Sequence, residues 1–275
     1  QSISTVMAKV KVGIAGCLGR MGQELVRQIL SDKNFTFVGG FEHKSHPKIG
    51  KKINLIIDVN SKVIVTNNAE SVFKLADVVI DFTTPHSTLS NAKIASITKT
   101  ALVIGTTGIN NTQKNKIKSF SKKTPILMSS NMSIGVNLLF NLVRQAASSL
   151  KDTDYDIEIA ETHHKHKVDA PSGTALSLGE YVARGRKIKL DKNKVLDRTK
   201  SLKKRKDGDI GFSVTRGGEI AGEHTVSFIG KNDRVDLIHK ANNRSIFVKG
   251  ALKASLFISK KKSGYFDMKD LIGLK

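Results

Sequence analysis

Cysteine, tryptophan and tyrosine are scarce in this 275-residue chain. Its single cysteine, Cys17, excludes an intrachain disulfide and a cysteine-rich metal site. No run of about 18 apolar residues occurs, so the sequence predicts no membrane span. The N-terminal residues do not join a basic segment to a long apolar run, so no secretion signal is predicted. We therefore expect a cytoplasmic protein without a membrane partner.

Acidic residues are also few, since 24 Asp and Glu stand against 46 Lys and Arg and the net charge is +22. Such an excess first suggests a nucleic acid or another anion as partner. However, only ten of the basic residues are Arg, and Trp is absent, whereas base contacts and base stacking favour Arg and aromatic rings. We therefore expect no nucleic-acid partner. A non-enzymatic nucleotide- or nucleic-acid-binding protein is kept as an alternative, which salt-sensitive retention on DNA would favour.

The first half of the chain alternates short apolar runs with helical patterns. Between the runs lie the predicted helices 23–30, 87–97 and 113–121. Continuous Val and Ile runs of this kind indicate a doubly wound parallel sheet covered by helices on both faces. The predicted strands are Val10–Ala15, Phe35–Phe41, Leu55–Val59, Val78–Phe82, Leu102–Thr106 and Ile126–Ser129.

The second half has a different pattern, which begins after a predicted helix at 134–150. One predicted strand at 155–160 and a helix at 176–183 precede three strands joined by Gly-rich turns, at 210–215, 225–229 and 234–239. This indicates a second domain of the α+β class with a mixed or antiparallel sheet. A final helical pattern at 245–258 is predicted to pack on the first domain. The stretch 184–206 has twelve basic and two acidic residues, and we interpret it as a solvated loop.

A glycine-rich loop follows the first predicted strand and precedes a helical pattern. Its glycines, at 13, 16, 19 and 22, lie 20 or more residues before Glu42, at the end of the second strand. Glycines let the backbone approach a pyrophosphate, and an acid at that distance can bind an adenosine ribose. Leu18 stands where the usual second glycine would be, and a tight turn without a ligand is the alternative. The context favours dinucleotide binding.

Two more polar strand ends, 105–108 and 129–132, fall where a doubly wound sheet presents its loops. Ligands bind at that carboxyl edge. Taken singly, each of these segments is more typical of a plain loop.

The densest group of reactive side chains runs from Glu161 to Ala175 and holds three of the eight histidines. His163 and Lys167 are four residues apart, so they share one side of a strand or helix, where a proton donor beside a positive charge suits reduction of an anion. The predicted helix start at Gly173 and Thr174 could hold a carboxylate on its backbone amides.

Two other interpretations of this segment stay open. A metal site would use the histidines with Glu161 or Asp169, but we can justify no ligand spacing in this pattern and Lys167 would repel a cation, so we predict no metal. A basic surface turn without a function is the second.

The motifs GCLGRMG, VVIDFTTP, GTTG, SSNMSIGVN, HHKHKVDAPSGTA, GDIGFSVTRGGEIAGEHTV and GYFDMKDLIGL, in this order, closely resemble the 4-hydroxy-tetrahydrodipicolinate reductase family. The resemblance spans about Val10 to Leu271 and fades in 44–76 and 184–206. It implies an NADH- or NADPH-dependent reduction of 4-hydroxy-tetrahydrodipicolinate, a cyclic dicarboxylate, to tetrahydrodipicolinate in the diaminopimelate branch of lysine biosynthesis. A different two-domain amino-acid dehydrogenase would share the glycine loop but not HHKHKVDAPSGTA.

The implied architecture is α/β. A Rossmann-like dinucleotide-binding domain is expected at 7–132, a substrate-binding domain that also builds a homotetramer at 133–241, and a segment returning to the first domain at 242–275.

The resemblance also implies roles for individual residues. His163 matches the proton donor/acceptor and Lys167 the proton donor, and which of the two delivers the proton stays open. His164, Gly173 and Thr174 match substrate-carboxylate contacts. The implied cofactor contacts are Gly16, Cys17, Leu18, Gly19, Arg20, Met21, Glu42, His43, Gly105, Thr106, Thr107, Ser129, Ser130, Asn131 and Met132.

One position departs from the family pattern. The residue after Glu42 is often Arg in relatives that hold a 2′-phosphate, and here it is His43, followed by Lys44. Neutral imidazole binds phosphate less well than guanidinium, so the sequence leaves the choice between NADH and NADPH open.

Overall fold

The computed structural model describes residues 8–200 and 202–274. These residues form two units, the first made of 8–132 and 247–273 and the second of 133–246 with Leu274. Within the described residues, no helix combines the length and the apolar character that crossing a membrane would require.

The first unit opens with alternating strands and helices. Their bounds are β1 Val10–Ala15, α1 Arg20–Ser31, β2 Phe35–Phe41, β3 Val65–Thr66, α2 Ala69–Leu75, β4 Val78–Asp81, α3 Pro85–Thr98, β5 Ala101–Ile104, α4 Asn111–Phe120 and β6 Pro125–Met128.

The second unit continues the chain. Its elements are α5 Ile134–Ser149, β7 Tyr155–His163, α6 Gly173–Arg186, α7 Leu190–Asn193, β8 Lys194–Val195, β9 Ile210–Arg216, β10 Glu223–Gly230 and β11 Arg234–Lys240. The last elements are α8 Ser245–Ile258, β12 Gly264–Phe266 and α9 Met268–Ile272; from Phe247 to Gly273 the chain belongs to the first unit.

The sheet of the first unit has seven strands in the order β12-β6-β5-β4-β1-β2-β3, and all neighbouring strands run parallel. Every residue of β4 and β5 is buried, as continuous Val and Ile runs predict for a sheet covered on both faces. Full burial of one such aliphatic side chain contributes about 1.5–3 kcal/mol. The predicted α/β class with a parallel first sheet is confirmed.

One predicted strand is wrong. The segment 55–59 is not a strand, because a 3-10 turn at Ile53–Leu55 is followed by turns and bends. Ile53 and Ile57 are buried from this loop, so their apolar character reflects burial without strand pairing. The third strand is instead the short β3, which pairs with β2.

The second unit has a mixed sheet in the order β11-β10-β7-β9-β8. β7 pairs antiparallel with β10 and parallel with β9. Alternate residues of these strands, such as Ile157, Phe212 and Val226, form one apolar core with α5 and α6. The predicted mixed sheet of an α+β unit is confirmed.

The basic stretch 184–206 is more ordered than the predicted solvated loop. α6 extends to Arg186, and α7 and β8 follow, so that expectation is wrong for its first half. Arg198 donates to Glu158 at 2.6 Å, and Arg205 pairs with Asp156 at 2.8 Å and with Glu158. The acids of β7 therefore hold part of this stretch against the sheet.

Candidate active site

The glycine-rich loop joins β1 to the start of α1 in the first unit. A side chain at Gly22 would place its Cβ 2.1 Å from the carbonyl oxygen of Gly16, so glycine is what allows the helix to approach the loop. Gly19 precedes the helix and offers no side-chain cap. The amides of the first turn, which includes Arg20 and Met21, therefore fit an anion such as a pyrophosphate.

Glu42 contacts this loop directly. The amide of Leu18 donates to Glu42 Oε1 at 2.7 Å, so the acid at the end of β2 and the loop form one surface. Cys17 is fully buried, and burial, with a further contribution from Glu42, raises the pKa of its thiol to about 12. The thiol is therefore neutral. His43 is exposed, and its Nδ1 lies 2.7 Å from the hydroxyl of Ser45.

Asp81 joins the ends of β4 and β5. Its carboxylate accepts hydrogen bonds from the amide of Thr83 at 2.9 Å, the hydroxyl of Thr106 at 3.3 Å and the amide group of Asn91 at 2.8 Å. Burial raises the pKa of Asp81, while the bonds from Asn91 and Thr83 act in the opposite direction. The Thr106 hydroxyl is thus part of the loop framework, whereas Thr107 is exposed.

The other predicted cofactor loops lie at the same edge of the sheet. Gly105 packs under the ring of Phe82, which a Cβ would approach to 2.1 Å. The Ser129 hydroxyl donates to the carbonyl of Asn131 at 2.7 Å; Ser130 is exposed and Met132 is buried. Since β1, β4, β5 and β6 are neighbours and parallel, their carboxyl ends bring these loops and the glycine loop to one edge.

Glu161, near the end of β7, is the central residue of the second unit's cluster. Its side chain is fully buried and accepts four hydrogen bonds. The guanidinium of Arg216 donates two, at 2.7 and 2.8 Å, His163 Nδ1 lies at 2.6 Å, and the amide of Ser172 donates at 2.9 Å. Burial alone would raise the pKa of Glu161, but the bonds from Arg216 and His163 outweigh it and lower the pKa. Glu161 is therefore an anion.

His163 contacts this anion and lies within the electrostatic influence of two cations. Burial lowers its pKa, as do the charges of Lys167 and Arg216, while the hydrogen bond and charge of Glu161 act against them. A Cβ on Gly222 would lie 2.9 Å from His163 Nε2, so the absence of a side chain there keeps this nitrogen clear. His163 can thus exchange a proton through Nε2 while Nδ1 is bound.

His224 of β10 lies beside His163, with ring centroids 5.1 Å apart. Its Nε2 is 3.1 Å from the hydroxyl of Ser172, which also caps α6 by accepting from the amide of Ala175. Burial, together with the charge of His163, lowers the pKa of His224 to about 4. His224 is therefore neutral at physiological pH and supports the start of α6.

Lys167 and the start of α6 complete the cluster. Lys167 donates to Asp169 Oδ1 at 2.8 Å, and this bond lowers the pKa of Asp169. Gly173 is exposed at the first position of α6, followed by the half-buried Thr174. The amide of His164 donates to the carbonyl of Ile220 at 2.8 Å. Lys167 and the predicted carboxylate contacts His164, Gly173 and Thr174 thus lie in the stretch that runs from the end of β7 into the first turn of α6.

Sequence reasoning gave no role to Arg216, His224 and Ser172. The missed signal is alternation, because Arg216 shares a strand face with Ile210 and Phe212, and His224 shares one with Val226 and Phe228. Polar residues at core-facing positions mark a built site. In the described parts of the chain, no three His, Cys, Asp or Glu residues are grouped as a metal site requires.

Comparison with known proteins gives the family. Residues 10–132 match the family model described as dihydrodipicolinate reductase, N-terminus, and residues 135–272 match dihydrodipicolinate reductase, C-terminus. The chain belongs to the dihydrodipicolinate reductase family. Membership makes it an oxidoreductase of the diaminopimelate branch of lysine biosynthesis, and the resemblance drawn from its motifs is confirmed.

Similar proteins cover the chain almost completely. The 4-hydroxy-tetrahydrodipicolinate reductase of Polynucleobacter necessarius subsp. necessarius (strain STIR1) is 41% identical over 266 residues, covering 97% of this chain and 100% of the relative. That of Brucella abortus (strain 2308) is 44% identical over 262 residues, covering 95% and 98%. A solved structure of dipicolinate-bound dihydrodipicolinate reductase from Paenisporosarcina sp. TG-14 is 26% identical with a TM-score of 0.76, covering 94% and 98%.

Proposed function

We propose that this chain reduces 4-hydroxy-tetrahydrodipicolinate to tetrahydrodipicolinate with NADH or NADPH, a net change in which a hydride and a proton are taken up and the 4-hydroxyl group leaves as water. The observation that carries the proposal is the arrangement of His163, bound to buried Glu161, beside Lys167 and the start of α6. Family membership and the full-length 4-hydroxy-tetrahydrodipicolinate reductase relatives support the choice of substrate.

The glycine loop of the first unit suits the nicotinamide dinucleotide. The first-turn amides of α1, including those of Arg20 and Met21, would hold the pyrophosphate, and Glu42 would bind the adenosine ribose. The loops 105–107 and 129–132 would surround the nicotinamide ring. When bound, the cofactor supplies a hydride to the substrate.

Substrate binding is assigned to the second unit. The amides of Gly173 and Thr174 at the start of α6, with His164, would hold one carboxylate of the cyclic dicarboxylate. The dipicolinate bound to the Paenisporosarcina enzyme is itself a dicarboxylate, which supports a site of this kind. Lys167 then exchanges its ion pair with Asp169 for one with the anionic substrate.

Proton delivery is assigned to Lys167 or His163. Both would lie beside the anionic substrate, where the charge of Lys167 would stabilise negative charge. Glu161 holds His163 Nδ1, so the proton would pass through Nε2, the nitrogen beside Gly222.

We propose a dinucleotide-binding domain at 7–132, a substrate-binding domain at 133–241 and a C-terminal segment at 242–275. The division of the described residues after Met132 and at Phe247 supports two functional units with a returning C-terminus.

A homotetramer is also proposed, with the open face of the second unit's sheet as its contact surface. Ile238, Thr225, Ala160 and Ser213 are register partners that form a row across four strands on the face away from α5 and α6. Ile238 is 53% exposed, and Ala160 and Ser213 are exposed as well. Small side chains in such a row allow a second sheet to pack closely.

The direct test is a spectrophotometric assay of NADH and NADPH oxidation, with the substrate formed in place from pyruvate and aspartate semialdehyde by the preceding synthase. Oxidation that requires the synthase is expected. The ratio of the NADH and NADPH oxidation rates reports whether a site with His43 and Lys44 accepts the 2′-phosphate of NADPH. Protein that binds dinucleotide yet oxidises neither cofactor would contradict the proposed reaction and favour another amino-acid dehydrogenase.

A further inference from the structure

The carboxylate of Glu161 connects three separate parts of the second unit. It binds the imidazole of His163 on its own strand, the guanidinium of Arg216 at the end of β9, and the amide of Ser172 before α6. With four donors on two oxygens, its hydrogen-bonding capacity is filled at full burial.

Resting on the proposed function, we propose that Glu161, held by Arg216, is a positioning residue that orients His163 for proton exchange and sets the start of α6 for carboxylate binding. Neither residue needs to touch the substrate for this role. A single movement of Glu161 would displace both His163 and the backbone amides that follow Ser172.

The contacts of His163 fix its tautomer. A carboxylate at 2.6 Å from Nδ1 can only accept, so Nδ1 must carry a proton, and in the neutral ring Nε2 is then the free acceptor. Gly222, with φ of +151°, leaves Nε2 without a side chain over it, and a Cβ there would come to 2.9 Å. The bond to Nδ1 and the open space beside Nε2 both direct proton exchange to Nε2.

Glu161 and Arg216 also hold the segment that leads into α6. The amide of Ser172 donates to Glu161 Oε1, and the Ser172 hydroxyl caps the helix and contacts His224. Arg216 also donates to the backbone carbonyl of Asp169 at 2.7 Å, so it fixes the segment between Lys167 and the helix. Gly173 and Thr174 follow directly, so these contacts also fix the position of their backbone amides.

The charge of Glu161 is balanced by a direct ion pair. Arg216 neutralises Glu161, so the carboxylate can stay ionised at full burial while it binds His163. The groups that face His163 from the packed elements are Glu161 on β7, Arg216 on β9, His224 on β10, Ser172 before α6, and Lys167 with Asp169 in the segment between β7 and α6. Of these, Glu161 is the anion in direct contact with the ring.

The test compares Glu161→Gln with Glu219→Gln, which replaces an exposed acid that lies 3.8 Å from His166 Nε2. For Glu161→Gln we expect kcat to fall about 10- to 100-fold, as for other residues that orient a reactive group. The pKa of His163, measured by NMR titration, should fall, because the variant loses the anion that raises it. The dinucleotide affinity of Glu161→Gln should stay within about twofold of wild type. In Glu219→Gln, kcat and dinucleotide affinity should stay within about twofold and the pKa of His163 should not change.

Arg216→Lys separates charge from geometry. Lysine keeps the cation but cannot make two parallel bonds to a carboxylate, so kcat should fall while the pKa of His163 changes less than in Glu161→Gln. Should Glu161→Gln fail to fold, nitrogen-15 NMR of the wild-type histidines still decides the matter. The proposal requires a proton on His163 Nδ1 at neutral pH.

Two results would overturn the positioning role: an Nε2-protonated tautomer in the wild-type protein, or a folded Glu161→Gln variant with unchanged kcat and unchanged His163 pKa. Failure of the proposed function is recognised separately, because wild-type protein would then show no synthase-dependent oxidation whatever the state of His163.

Discussion

At the scale of single residues, the site divides into side chains that the sequence reveals and side chains that only the fold brings to them. His163 and Lys167 stand in one short motif, so their spacing alone predicts a reactive pair. Arg216 and His224 come from more than 50 residues further along the chain. They reach the site because β9 pairs His163 with Arg216 and β10 pairs Glu161 with His224.

Lys167→Ala tests the proposed role of Lys167 as a proton donor and as the positive charge beside the substrate. We expect kcat to fall at least 100-fold, because the side chain supplies both a proton and a positive charge to an anionic substrate. Dinucleotide affinity should change little, since the proposed dinucleotide site is in the other unit. Steady-state kinetics and a fluorescence titration with the cofactor measure the two effects. Lys165→Ala is the matched control, because Lys165 is an exposed lysine in the same segment; near-normal kcat in Lys167→Ala would refute the role.

His224 predicts a component of the pH dependence of stability. The unfolded imidazole takes up a proton near pH 6.5, but burial first, and then the charge of His163, lowers the folded pKa to about 4. The free energy of unfolding should therefore fall as the pH drops from 6.5 to about 4, by about 3 kcal/mol from this group. Above this window the contribution of His224 is constant.

Denaturant unfolding of wild-type protein and His224→Gln at several pH values measures that component. The variant should lose less stability across the window, whereas His166→Gln, which removes an exposed imidazole, should behave as wild type does. Parallel curves for wild type and His224→Gln would show that the buried imidazole is not responsible.

At the scale of elements, the strands that bury both faces were predictable from the sequence. A buried loop and an edge strand were not. β4 and β5 are short strands made mostly of Val, Ile and Leu, and they are buried at every position. The run at 55–59 looks similar, yet Ile53 and Ile57 bury their side chains from a loop. The edge strand β12 escaped prediction because its three residues are only half-buried and pair on one side, with β6.

Gly22→Ala tests the junction of loop and helix. The new Cβ would lie 2.1 Å from the Gly16 carbonyl oxygen and 2.8 Å from backbone atoms of Cys17, so the loop or α1 must shift. We expect dinucleotide affinity to fall at least tenfold, measured by fluorescence titration, because the first-turn amides move with the helix. Gly217→Ala is the matched control, since nothing lies within 4 Å of its Cβ. Unchanged affinity in Gly22→Ala would remove this loop from the proposed cofactor site.

At the scale of the whole molecule, part of the strong positive charge is paired with acidic side chains. Arg198 and Arg205 bind the acids Asp156 and Glu158, and Arg216 binds Glu161, so part of the basic excess holds the second unit together. The sequence showed the excess of charge but could not show these pairs, because each joins residues 40 or more positions apart.

The proposed homotetramer is tested by sedimentation at near-physiological salt. We expect a species with four times the mass of one chain. Ala160→Arg should yield smaller species, because it places a long charged side chain in the middle of the row that spans the open face. Lys192→Ala, in α7, is an exposed control. A monomeric wild-type protein would contradict the proposed assembly.

The central claim is that hydride passes from the nicotinamide cofactor to the cyclic substrate, and isotope transfer tests it most directly. The purified chain is mixed with substrate formed by the synthase and with NADH or NADPH deuterated at one face of nicotinamide C4, and the product is examined by mass spectrometry. The account predicts tetrahydrodipicolinate one mass unit heavier with one of the two labelled faces. Product without deuterium from either face, or no product while dinucleotide still binds, would contradict it.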